Sequence, residues 1–215
     1  MIISVNTSNN NYNFVCKCEK GNNTETHSIK PNKTNNLFDY EYSHEDHMQN
    51  VLMFGELIGK TKKLINKHKE VDVEEFFTKL KDYYLLVEKY IECGMKNILV
   101  TIREIIVLCY TFLICYFDYN YGEIAEKIME TYSNKNWDYN NASEFQLMHS
   151  GVYSFKTTIE HKILRIKSFY EGKEFQVEDE KIWDTICDLM TYCFIYAIWV
   201  CKDCPMERKI NIEVT

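Results

Sequence analysis

Glu180-Lys-Ile-Trp-Asp184-Thr-Ile-Cys-Asp188-Leu-Met-Thr-Tyr192 is the stretch on which the reading of this chain turns. Its acids recur every four residues. At 3.6 residues per turn that spacing sets all three carboxylates on one helical face. The chain then turns almost wholly apolar from Leu189 to Val200. A helix that carries acids into an apolar region must compensate them, because an unpaired carboxylate in low dielectric costs several kcal/mol. The partners open to it are basic side chains or a hard divalent cation, and the second would make a magnesium site that handles phosphate. The plain alternative is a solvated or salt-bridged face, with Lys181 in an i,i+4 network. Asp188 argues against plain solvation, since Ile186, Cys187, Leu189 and Met190 surround it in sequence.

The rest of the chain points to long helices. Its 215 residues are 46% hydrophobic, enough for a substantial core, and contain only 7 Gly and 2 Pro. Sheet-rich folds use more of both at their turns. A net charge of -7 and a pI near 5.4 argue against general nucleic-acid binding and leave a small phosphorylated ligand open. Most of the nine cysteines, including Cys93, Cys109, Cys115, Cys187 and Cys193, fall in apolar helical stretches, where Cys acts as a small hydrophobe. The first residues lack the pattern of a signal peptide, so reduced thiols and a cytoplasmic location are expected. The apolar run Ile105 to Phe117 is shorter than the roughly 20 residues that span a bilayer, so it is read as a core helix with no membrane partner.

Four segments follow. Residues 1–42 are rich in Asn and Thr and are expected as a loose arm or a small hairpin around Ile2-Val5 and Tyr12-Cys18. Residues 43–118 form a first helical half, with a start at Ser43 and a second helix capped by Asp72 with Glu75 three residues on. Residues 119–204 form a second half, and 205–215 a frayed tail. The expected fold is an all-α bundle of about six helices: 43 to about 67, 72 to 94, 96 to 116, 122 to 132, 154 to 170 and 179 to 201. Residues 134 to 143 read as a polar loop.

Two further stretches bear on chemistry. Glu160-His-Lys162-Ile-Leu-Arg165 sets Lys162 and Arg165 three apart on one helix face, where they can neutralise the acidic stripe or grip phosphate oxygens. Glu160 would be a fourth carboxylate, and His161 an ordinary surface or packed histidine. Lys135-Asn-Trp-Asp138-Tyr139-Asn140 is read either as a turn or as a nucleotide lid in which Trp137 or Tyr139 stacks on a base and Lys135 faces phosphate. Cys201-Lys-Asp-Cys204 has zinc or redox spacing, but zinc needs two more ligands, and only the distant Cys16-Lys-Cys18 offers them. The chain has neither a Gly-rich phosphate loop nor a Walker signature.

Taken in order, Lys135-Asn-Trp-Asp138-Tyr139, Lys162-Ile-Leu-Arg165, and Glu180 with Asp184-Thr-Ile-Cys-Asp188-Leu-Met-Thr-Tyr192 resemble the nucleotide modification associated domain 1 family. That family is common in phages and bacteria and is similar to the all-α NTP pyrophosphatases of the MazG and dimeric dUTPase type. The resemblance covers about residues 125 to 200. The family has Gly after Asp-Tyr where this chain has Asn140, and Asn is the next best residue at positive φ. Fainter echoes of the same superfamily lie in Gly55-Glu56-Leu-Ile-Gly59 and Lys79-Leu-Lys-Asp82, with only Glu56 and Asp82 kept as acids. They imply a first half that lost metal binding, or else an ordinary amphipathic helix pair.

The resemblance implies a Mg²⁺-dependent pyrophosphohydrolase acting on a (deoxy)nucleoside triphosphate, as a possible homodimer. Glu160, Glu180, Asp184 and Asp188 would hold the metal, the last three as the catalytic set. Lys135, Lys162 and Arg165 would bind phosphate, and Asp138 and Tyr139 would order the base or ribose. Two rivals stay open: a nucleotide-binding protein that senses or sequesters without hydrolysis, and a structural protein whose acidic stripe is salt-bridged to Lys162 and Arg165.

Overall fold

The computed structural model describes residues 2–8, 11–17, 42–65, 71–93, 98–139, 141–173 and 181–203, with side chains described from residue 42 to 200 except Cys93. A hairpin comes first. Strands β1 (Ile2–Ser8) and β2 (Asn11–Lys17) pair antiparallel, with Ile2 opposite Lys17 and Ser8 opposite Asn11. Seven helices follow among the described residues: α1 (His44–Ile65), α2 (Val73–Cys93), α3 (Ile98–Phe117), α4 (Tyr121–Asp138), α5 (Ala142–Ser150), α6 (Val152–Tyr170) and α7 (Ile182–Asp203). The protein is an all-α bundle with a short N-terminal hairpin.

The helix starts are set by side chains that satisfy the first free backbone donors. The Asp46 amide donates to Ser43 Oγ at 3.1 Å, and the Ser43 amide to Asp46 Oδ2 at 3.2 Å. The Glu75 amide donates to Asp72 Oδ1 at 2.8 Å. The Glu75 carboxylate turns instead to Lys79 at 2.6 Å, so only half of the expected capping box forms there. Asn120 and Glu123 make a complete box at the start of α4.

Helix α3 is apolar on nearly every side and forms the axis of the bundle. It packs on α2, α7, α1 and α4. At 20 residues it is long and apolar enough to cross a bilayer, yet 67% of its most apolar window is buried by the other helices. Around it the helices bury one stripe each. In α6 the stripe is Phe155, Ile159, Ile163 and Ile166, spaced four, four and three apart. In α2 it is Phe76, Leu80 and Val87. Stacked rings tie the elements together: Phe54 on Tyr132 at 3.9 Å joins α1 to α4, and Phe76 on Phe112 at 4.0 Å joins α2 to α3. Each fully buried large side chain contributes about 1.5–3 kcal/mol. Helices from residues 43–118 and from 119–204 share this one core.

The 134–143 segment departs from the expected loop. Helix α4 runs on to Asp138, and a further helix, α5, begins at Ala142. Asn141 turns the chain between them in the left-handed region, at φ 54°, one residue after Asn140, which lies outside the described residues. Gly151, at φ 57°, makes the next corner, and its amide donates to the Leu147 carbonyl at 2.8 Å. Nothing stands within 4 Å of where a Gly151 Cβ would be, so the backbone angle rather than space calls for glycine.

Candidate functional site

Asp184 and Asp188 of the acidic stripe lie on α7, and Asp188 is where distant parts of the chain meet. Lys162, from α6, donates to Asp188 Oδ2 at 2.8 Å. Lys135, from the last turn of α4, reaches Asp188 Oδ1 at 3.5 Å. The two lysines are therefore 26 and 53 residues from their common partner. The pairing follows from the packing. Lys162 stands beside the buried stripe of α6, so its stem runs along the α6–α7 seam. Asp188 is flanked on α7 by buried Cys187 and Leu189.

The two ion pairs differ in kind. Asp188 and Lys162 keep only 18% and 21% of their side-chain surface, whereas Lys135 keeps 59%. The Lys162 pair is short and partly shielded from water, so its Coulomb attraction is screened less. The Lys135 contact is long and wet, and is worth about 0–1 kcal/mol. Both Asp188 oxygens are thus engaged by ammonium groups.

Asp184 stands one turn before Asp188 and is half-buried. Burial pushes the Cys187 thiol between them up to about 12, with the Asp184 and Asp188 charges adding and Lys127 opposing. Cys187 is therefore a protonated, inert thiol. Lys127 lies over the Trp183 ring at 5.2 Å and adds a third lysine to this end of the bundle, one that the motif spacing did not single out. Arg165 is half-buried on α6, three residues beyond Lys162. Glu180 lies outside the described residues. So do the side chains of Cys201, Cys204, Cys16 and Cys18, and with them the zinc spacing. Cys109 and Cys193 are buried like Cys187, but Cys115 is exposed.

Two expectations change. Glu160 does not join the stripe; it stands on the α2 side of α6, beside Tyr84, whose hydroxyl donates to Glu88 Oε1 at 3.1 Å. A two-residue step on a helix turns a side chain by about 200°, so Glu160 and Lys162 face opposite ways. Lys156 closes that second cluster with a 2.9 Å bridge to Glu88. Trp137 is no free lid: its ring packs on His47 at 5.2 Å and His44 at 5.6 Å, beside Tyr42. Asp138 and Tyr139 stand exposed at the end of α4, Tyr139 with 68% of its surface free. His161 is exposed, in keeping with an ordinary surface histidine. Glu56 and Asp82 are exposed too, and Lys79 holds a surface bridge, so the first half assembles no counterpart site from them. Among the described residues no three His, Cys, Asp or Glu side chains gather closely enough to hold a metal by themselves.

A second polar assembly lies across α4 and was not expected. His47 is buried on α1, with Nδ1 3.4 Å from the Tyr42 hydroxyl and Nε2 3.5 Å from Ser133 Oγ. Asn136 and Asn50 both donate to that Tyr42 oxygen, at 2.7 and 3.2 Å. Asn50 also donates to Glu144 Oε2 at 2.9 Å, and Asn141 donates to the same oxygen. Burial, helped by His44, holds the His47 pKa below its ordinary value. The signal was present in sequence: His47, Asn50 and Phe54 share the core-facing stripe of α1, and polar residues on such a stripe need internal partners.

No protein-family model, curated protein or solved structure matches this chain.

Proposed function

We propose that this protein binds and hydrolyses a (deoxy)nucleoside triphosphate with Mg²⁺, as a pyrophosphohydrolase-like member of the nucleotide modification associated domain 1 group. The observation that carries the reading is the convergence on Asp188. Three short motifs, spread over more than fifty residues, supply Lys135, Lys162 and the Asp184–Asp188 pair to one end of the bundle.

The donor set suits magnesium in one particular way. Mg²⁺ keeps several waters and is commonly bound by one or two carboxylates together with substrate phosphates rather than by an all-protein cage. Asp184 and Asp188, one turn apart on α7, fit that mode. Asp184 and Asp188 would hold the metal together with the nucleotide's phosphates, and Glu180 is the further carboxylate that the resemblance adds. When bound, Mg²⁺ supplies charge neutralisation and an activated water for attack at the α phosphorus, releasing pyrophosphate and a nucleoside monophosphate. The chain's own contribution is positioning. Lys162, now paired with Asp188 Oδ2 at 2.8 Å, would bind a phosphate oxygen, and Asp188 would be the carboxylate that holds the cation. Lys135, long and exposed, follows the outer phosphates, and Arg165 offers planar donors one turn further along α6.

A second reading rests on the same two ion pairs. Both Asp188 oxygens already hold lysines, as they would in a protein that binds nucleotide and does not turn it over. One experiment separates the two. The purified chain is melted with common NTPs and dNTPs, with and without Mg²⁺, and each sample is assayed for pyrophosphate. Mg²⁺-dependent stabilisation with release supports the enzyme, since ligand binding to the folded state raises stability by mass action. Stabilisation without release supports a sensor or sequestering protein. With neither, the stripe is a structural ion-pair face.

A further inference from the structure

Helix α4 sends two lysines towards α7, and they are held in different ways. Lys135 reaches a carboxylate, that of Asp188. Lys127, two turns earlier on α4, lies over the face of Trp183 at 5.2 Å. A ring face attracts an ammonium through its quadrupole and brings no countercharge. The contact therefore fixes the side chain in place and leaves its charge uncompensated. Glu123, one turn before Lys127 and so its natural ion-pair partner, instead accepts the Asn120 amide at 2.9 Å in the helix cap. Among the described residues no carboxylate stands within salt-bridge distance of Lys127.

The place of that charge gives it meaning. Trp183 directly precedes Asp184, and the Lys127 charge acts on the Cys187 thiol together with those of Asp184 and Asp188. Asp184 and Asp188 are one helical turn apart, about 6 Å along the axis. Lys135 and Lys162 meet at the Asp188 level. Lys127 stands one turn nearer the start of α7, at the Trp183–Asp184 level. Three lysines on two levels thus face two carboxylates, in a chain whose net charge is -7. A local excess of positive charge on an acidic protein draws anions to that point. Its spread over two levels suits an anion longer than one phosphate group. The Asp188 level, with its two lysines, is sufficient for a single phosphate. Lys127 is reached only by a chain that continues towards the start of α7.

We infer that Lys127 reads the length of the phosphate chain at the Asp188 site. A single phosphate group settles between Lys135 and Lys162, and Lys127 takes a further group of a di- or triphosphate. The inference rests on the function proposed above. It adds a specificity-determining residue from α4, and it makes polyphosphate esters rather than monophosphates the ligand class of the site.

The test is titration calorimetry on the full-length chain with Mg²⁺. The ligands are the common nucleoside triphosphates with a methylene bridge between the α and β phosphorus, which blocks cleavage there, and the matching monophosphates. The proteins are the wild type, Lys127→Met and Lys127→Arg. The wild type should bind a triphosphate more tightly than its monophosphate. Lys127→Met should weaken that triphosphate about tenfold, the worth of one hydrogen bond to a charged group, and leave the monophosphate unchanged. Lys127→Arg keeps the charge and the ring contact and should retain most of the affinity. Lys127 is half-buried and Met matches its stem, so the variant keeps the fold. Equal binding of the two ligands by the wild type, or a Lys127→Met that weakens both alike or neither, would overturn the role of Lys127 and leave the Asp188 site standing. Failure of every ligand to bind the wild type would overturn both.

Discussion

Helix α4 has a polar assembly on each side, and the two are built on opposite principles. Towards α1 and α5, Ser133 and Asn136 join His47, Tyr42, Asn50 and Glu144 in a buried network whose members satisfy one another. Towards α7, Lys135 joins Lys162 at Asp188, a half-open site where charge rather than hydrogen-bond closure dominates. A closed network rigidifies a seam and has little left to offer a ligand. An ion pair open on one side can exchange a partner for phosphate or metal with little rearrangement. The contrast teaches that buried polarity here is used up internally, while the half-buried charge at Asp188 stays open to a new partner. Each side can be tested by removing one residue.

The largest effect is expected at Asp188. Asp188→Asn should lower pyrophosphate release by at least about a hundredfold, the scale of losing a key charged group in a phosphoryl-transfer site. Its circular dichroism should stay helical. Unchanged turnover would remove Asp188 from the site.

The seam should respond in stability instead. Asn136→Ala removes the shorter of the two amide donors to the half-buried Tyr42 hydroxyl and should cost about 0.5–1.5 kcal/mol in denaturant unfolding. Nucleotide affinity should hardly change. The reverse pattern, intact stability with lost affinity, would exchange the roles assigned to the two sides.

A pH effect comes next. Because the His47 pKa is lowered on folding, the unfolded chain takes up a proton near 6.5 that the folded chain refuses. This contribution to stability is full above that pH. It declines as pH falls below it and levels off once the folded pKa is reached. Melts from about pH 7.5 to about pH 5 should show the wild type losing more stability than His47→Gln. Parallel curves would mean that the imidazole is not held neutral.

The smallest effect on this scale belongs to Gly151→Ala. The added methyl meets no atom, but a φ of 57° disfavours any side chain, so the change should cost about 1 kcal/mol in unfolding free energy and leave ligand binding untouched. A neutral or stabilising result would mean that the α5–α6 corner relaxes freely.

Much of the bundle was legible in the chain because its signals are local. The stripes of α1, α2 and α6 and the starts at Ser43 and Asp72 follow from spacing and capping chemistry, whereas the Asn120–Glu123 box that starts α4 was passed over for Gly122. Helix α5 was missed for an equally local reason: Asn134 to Ser143 is rich in turn-forming residues, and a nine-residue helix stands on tertiary contacts more than on propensity. The pairing of Lys162 with the stripe was also legible, since a half-buried acid needs a cation within reach. Glu160 was misplaced because sequence proximity to Lys162 hid a turn of about 200° on the helix. Trp137 was read as a lid because its buried-side partners, His44 and His47, lie some ninety residues away, where periodicity carries no information.

The central claim is that Asp188 anchors a Mg²⁺-dependent nucleoside triphosphate site. Thermal melting of the wild type and of Asp188→Asn, side by side with saturating nucleoside triphosphate plus Mg²⁺, tests it most directly. The account predicts a ligand-induced rise in Tm for the wild type that disappears without Mg²⁺ and is absent from Asp188→Asn. Equal shifts in the two proteins, or no shift in the wild type with any triphosphate, would contradict it.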